Sequence, residues 1–200
     1  MEPFTTFTAV AVPIDQPNID TDQIIPARFL GKPRTDRVAA AFHDMRRTPD
    51  GALRPELTLN QPAYKDARII VADRNFACGS SREHAVTVLQ DNGFRGFIAT
   101  SFADIFYNNC FQNGVLPVVL PAERVAELRA LLHKTPGATI TLDLERQSVT
   151  GPDGKVDRFE IDSFRKDCLL KGQDDVSLTL GYEKDIAAFE ARQKSEMTWL

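Results

Sequence analysis

The sequence has little of what several function classes require. Its three cysteines, Cys78, Cys110 and Cys168, are widely spaced, and no Cys-x-x-Cys pair occurs. That argues against a disulfide framework and a cysteine zinc site, and it suits a reducing, cytoplasmic setting. No apolar run approaches the ~18 residues that a membrane helix needs. Met1 to Phe7 carries neither the basic start nor the apolar stretch of a signal peptide. The expectation is no membrane association. Net charge is −4, so the positive surplus typical of nucleic-acid binding is missing. The chain has no Gly-x-Ser-x-Gly elbow and no dinucleotide fingerprint. Its histidines, His43, His84 and His133, form no ligand pattern with the cysteines, and no metal site on this chain is expected.

What is present suits a single α/β domain of 200 residues with 42% hydrophobic content. Thr5 to Ile14 reads as a first strand. Residues 15–35 are rich in proline and form a long loop, which Ile19, Ile24, Ile25, Phe29 and Leu30 mark as packed. Arg37 to Arg47 reads as a short helix, and 48–55 as a turn. From about 67 to 133 apolar strands alternate with helices: strands at 67–72, 96–100 and 115–120, helices at 83–90, 102–112 and 122–133. This is the pattern of a parallel βαβ layer. Pro117 hints that its strand lies at an edge. A strand at 138–144 and a hairpin at 149–161, turning at Pro152-Asp153-Gly154, make a strand-rich flank. Helices are expected at 163–170 and in a tail from about 182 to 200.

The densest chemistry lies at 74–85, where a buried strand hands over to a helix. Ser80, Ser81 and Arg82 sit where free backbone N–H groups favour an anion such as a carboxylate or phosphate. Ser80 and Glu83 also have capping-box spacing, with Gly79 as a turn glycine. A cap needs one hydroxyl; it needs neither the second nor the neighbouring cation. His84 stands close enough in sequence to serve a serine as base. Upstream, Asp20-Thr21-Asp22 could orient an arginine or serine, or simply form Asx turns. Arg28, Lys32 and Arg34 could bind carboxylates there.

Cys78-Gly79-Ser80-Ser81-Arg82-Glu83-His84-Ala85 resembles the serine–serine–arginine signature of the aconitase superfamily's swivel domain. Arg74-Asn75-Phe76, the run from Ser101 to Pro117 and the segment Asn18 to Leu30 are similar to motifs of the bacterial 3-isopropylmalate dehydratase small-subunit family. The resemblance covers nearly the whole chain. It implies a swivelling β/β/α fold and a 4Fe-4S cluster held by a separate large subunit, with no cofactor bound by this chain. It also implies isomerisation of 2-isopropylmalate to 3-isopropylmalate by dehydration and rehydration in leucine biosynthesis. By motif position Ser80 would be catalytic. Ser81, Arg82 and Arg34 would bind the small dicarboxylate, supported by Thr21, Asp22, Gly79 and His84. The chain departs from the family pattern at 35–38, 43–47 and Val86-Thr87. Those departures leave a related dehydratase of another alkylmalate (dimethylmalate, citramalate or homocitrate) as the alternative.

Overall fold

A computed structural model describes residues 1–197. Seven strands form one mixed sheet: β1 (Thr6–Ile14), β2 (Ile69–Ala72), β3 (Gly96–Ala99), β4 (Leu116–Val119), β5 (Thr139–Asp143), β6 (Ser148–Thr150) and β7 (Val156–Arg158), in the order β4-β3-β2-β1-β5-β6-β7. The first four run parallel; β5, β6 and β7 continue antiparallel. β2 and β3 are buried at every position, as strands covered on both faces must be. Pro117 does lie on an edge strand.

The strand β1 joins the two halves. Its first part pairs with β5, from Thr6 opposite Asp143 to Val10 opposite Thr139. Its last part pairs with β2, from Ala11 opposite Ile69 to Ile14 opposite Ala72. Burial changes with the pairing, from partly exposed to fully buried.

Alternate side chains feed two cores, as the pleat requires. Ile70, Ala72, Phe97 and Ala99 face one core. It is covered by α4 (Glu83–Asp91), α5 (Asp104–Gln112) and the short helices α1 (Thr21–Ile24) and α3 (His43–Arg46), while α2 (Arg34–Arg37) buries no residue. Ile69, Val71 and Ile98 face the other, which is closed by α6 (Ala122–Lys134) and α7 (Ser163–Lys171). The chain ends in α8 (Asp175–Leu180) and α9 (Glu183–Glu196). The expected tail is thus helical over Glu183–Glu196; residues 198–200 lie outside the described residues.

Two expectations change. Residues 37–47 do not form one helix. Phe42 adopts φ 53° between α2 and α3, donates its N–H to the Ile24 carbonyl at 2.8 Å, and buries its ring. Burying that ring outweighs helix continuity. The stretch 15–35 is not loop throughout. It contains α1, which is closed by a capping box: the Asp20 carboxylate accepts from Gln23 N at 2.7 Å, and Gln23 Oε1 accepts from Asp20 N at 2.9 Å.

The antiparallel flank is pinned from beneath. Arg124 of α6, only 5% exposed, donates to Asp157 at 2.6 Å, to both oxygens of Asp153 at 2.9 and 3.0 Å, and to Glu127 at 3.1 Å. The guanidinium holds the Asp153 carboxyl below the usual carboxylate range. A depressed folded pKa stabilises the fold above the usual carboxylate pKa, and that stabilisation is lost as pH falls through the depressed value. Asp153→Asn should therefore cost about 1 kcal/mol at neutral pH. Denaturant unfolding should show the gap from wild type closing as pH drops below about 4.

Candidate active site

Ile14 and Ala72 end β1 and β2 side by side, and both loops that leave them belong to the site. The loops stay paired: Asp20 bridges Cys78 at the offset that relates Ile14 to Ala72. Cys78 N donates to Ile19 O at 3.1 Å and Thr21 N to Cys78 O at 2.9 Å. Thr21, 2% exposed, donates its hydroxyl to the Ser80 carbonyl at 3.1 Å. Asn18 N donates to Arg74 O at 3.0 Å, and Asn75 Nδ2 to Asn18 Oδ1 at 2.9 Å. On the other side Phe76 N donates to Ser101 O at 3.0 Å, and Ala103 N to Phe76 O at 3.1 Å.

The serine segment reaches its position through left-handed backbone. Asn75, Ala77 and Gly79 have φ of 56°, 60° and 87°. Such a φ costs a non-glycine residue on the order of 1–3 kcal/mol, and Ala77 is held in it while buried. Gly79 escapes that cost.

The chemistry then projects outward. Ser80 and Ser81 are exposed, and neither hydroxyl has a hydrogen-bond partner among the described residues. Arg82 is the N-cap residue of α4, and no side chain caps the helix. The Ser80–Glu83 capping box therefore does not form, and the serines remain free for other work. Arg82 Nη1 donates to Asp22 Oδ1 at 2.6 Å. The pair fixes the guanidinium beside the hydroxyls. Ser80, Ser81 and Arg82, with Thr21, Gly79 and the start of α5 from Ala103 to Phe106, line an open cleft of about 260 Å³. A cation, two hydroxyls and an uncapped helix start make an anion site.

The structure thus brings Thr21, Asp22, Gly79, Ser80, Ser81 and Arg82 together. It does not bring Arg34 to them. Arg34 grips Asp91 with Nε at 2.9 Å and Nη2 at 2.7 Å. Asp91 closes the nine-residue α4 at the end away from the serines, roughly 12 Å along its axis at 1.5 Å per residue. Arg28 is likewise occupied, by Asp44 and His43. His84 makes no side-chain hydrogen bond to either serine.

A supporting group lies outside the residues that the sequence singles out. Arg129 of α6 donates to Asp15 Oδ1 at 3.2 Å and to Asp73 Oδ2 at 2.9 Å. His133 Nε2 lies 2.7 Å from Asp15 Oδ2. Asp15 and Asp73 are the first residues after β1 and β2, so one guanidinium ties down the roots of both site loops. The only local signal is an aspartate directly after each apolar strand.

The chain's own residues do not fit an iron–sulfur cluster. Cys110 is fully buried, and burial pushes its thiol well up. Cys78 points its sulfur at the Asn18 carbonyl, 3.5 Å away. Among the described residues no three His, Cys, Asp or Glu side chains group to hold a metal ion, and no helix is long and apolar enough to cross a membrane.

Arg129→Met should loosen both loops. Amide exchange at Cys78 and Thr21 is expected to rise about 5–30-fold, as a loss of 1–2 kcal/mol of local stability predicts, with β3 amides unchanged.

A family model described as the aconitase C-terminal domain matches residues 1–123. A LeuD_N model matches 126–163, and one described as the C-terminal domain of the 3-isopropylmalate dehydratase small subunit matches 175–200. A Leptospira interrogans protein named 3-isopropylmalate dehydratase small subunit is 52% identical over 203 residues, covering all of this chain and 98% of its own. A Paramagnetospirillum magneticum protein of the same name is 52% identical over the full length of both. The crystal structure of a 3-isopropylmalate dehydratase (LeuD) from Methanocaldococcus jannaschii superposes with a TM-score of 0.64 at 23% identity, over 94% of this chain and 99% of that one, and it shares the fold. With this agreement over its whole length, the chain belongs to the 3-isopropylmalate dehydratase small-subunit family of the aconitase superfamily.

Proposed function

We propose that this chain is the proton-handling half of a two-subunit hydro-lyase that isomerises 2-isopropylmalate to 3-isopropylmalate in leucine biosynthesis. One observation carries the assignment of roles: Ser80 and Ser81 present unpartnered hydroxyls in an open cleft, beside a guanidinium fixed by Asp22 and at an uncapped helix start. The alternative of another alkylmalate is not favoured, since relatives at 52% identity over the whole chain carry the 3-isopropylmalate name.

In this reading Ser80 Oγ, as alkoxide, takes the proton from the carbon next to the hydroxyl-bearing carbon. The electron pair of that C–H bond forms the double bond of isopropylmaleate as the hydroxyl departs. In the return step Ser80 gives the proton to the other carbon and hydroxide adds where the proton was removed, which restores the alkoxide. A serine hydroxyl is a weak base at its ordinary pKa. Arg82 and the α4 N–H groups lower the cost of its anion. Arg82 and Ser81 hold a substrate carboxylate. Arg34 would first have to leave Asp91, a bidentate pair whose carboxylate is mostly covered, to take part.

The 4Fe-4S cluster associated with this superfamily belongs, in this reading, to the large subunit, because the cysteines here do not fit it. Closure of the cleft falls to that same partner. The setting is the cytoplasm, where free thiols such as Cys78 stay reduced.

Ser80→Ala, assembled with the large subunit, should lower kcat by about 10²–10⁴ with little change in KM. Arg82→Lys should chiefly raise KM, by about tenfold, because a point charge replaces a planar fork. Steady-state assay of isopropylmaleate hydration reads both. Unchanged turnover in Ser80→Ala would remove the catalytic assignment.

A further inference from the structure

The last two helices hold an apolar surface that no other described residue covers. None of the residues of α8 or α9 is buried. Val176 and Leu180 of α8 are 68% and 64% exposed; Tyr182 before α9 and Phe189 within it are 63% and 54% exposed. Leu180 follows Val176 by four positions, and Ile186 and Phe189 follow Tyr182 by four and seven. Each set therefore lies along one helix face. An exposed stripe of this length marks a protein contact. The segment is also the one that the family's C-terminal model matches, from 175 to 200. It is recognisable as part of the family although its described helices add no buried residue to the core.

The start of α8 is joined to the serine cleft along α5. Ile105, 49% exposed, lines that cleft. Asn108 and Gln112 follow it by three and seven positions, on the same face of α5. They then line a groove of about 480 Å³ between α5, α7 and the start of α8. Arg165 binds Asn108 at 2.7 Å and Gln112 binds Asp175 at 3.4 Å across it. Exposed Phe164 stands at its lip. One face thus runs from Ser80 along α5 to Asp175, where α8 and its exposed apolar residues begin.

We infer that this face, ending in the α8–α9 stripe, is the docking surface for the large subunit. The inference rests on the proposed function, in which that partner must cover Ser80, and a protein seated there continues directly along α5. The occupant is an apolar strip of the large subunit. A second copy of this chain would leave the cleft open.

The test uses the full chain with purified large subunit. The paired substitutions Val176→Glu with Leu180→Glu, and Ile186→Glu with Phe189→Glu, replace only exposed or half-exposed side chains. Activity titrated against the concentration of this chain should show the apparent Kd raised about tenfold or more by each pair, with full turnover at saturation. Lys184→Glu, on the opposite face of α9, should change nothing. Circular dichroism should show all variants folded. An unchanged apparent Kd in both pairs overturns the inference. So does a wild-type chain that dimerises alone through the stripe while the variants, now monomeric, bind the large subunit normally. Ser80→Ala separates the two readings: it should assemble normally and lack turnover. If the wild type binds no large subunit, the proposed function itself fails, and the docking surface with it.

Discussion

Beyond the ends of β1 and β2 the two chain segments do not part. They leave the sheet, turn, and meet again at Asp20 and Cys78 in unchanged register. Everything at the site depends on this reunion. It places Asp22 within reach of Arg82, lets Thr21 hold the Ser80 carbonyl, and leaves both serines exposed. The left-handed residues Asn18, Asn75, Ala77 and Gly79 are the conformational cost of bringing them together. Backbone hydrogen bonds on both sides of the segment, and Arg129 at its root, offset that cost.

The sheet divides its work at β1. The parallel half ends in loops that carry chemistry, as carboxyl ends of parallel strands commonly do. The antiparallel half carries none of the site residues. Its internal ion cluster around Arg124 locks the β6–β7 hairpin to α6, and α6 in turn holds both site loops through Arg129. The flank is therefore a brace for the active half.

Much of this is legible in the sequence, for identifiable reasons. β2, β3 and β4 are short apolar runs bounded by polar residues, and burial on both faces leaves no other composition. The serine motif stands out because its residue types are redundant for a cap. Other features have no local signature. Phe42 breaks a helical run because a tertiary pocket takes its ring. Arg34 looks free in sequence and meets its acid, Asp91, only after folding. Arg129 and Asp15 lie 114 positions apart. α8 has no local helix signature, because Val-Ser-Leu-Thr-Leu alternates with a period of two and none of its residues is buried.

The shared register of the two site loops bears on how members of such a family diverge. Residues 18–22 and 74–80 hold each other main chain to main chain, so neither can be lengthened alone without breaking the pairing of the other. The stretch around Arg28, His43 and Asp44 is tied mostly to itself. A chimera that exchanged this outer stretch would keep the serine segment in place. One that exchanged only half of the paired loops would lose it. Variation is thus channelled into the rim of the cleft, while its floor is inherited as a unit.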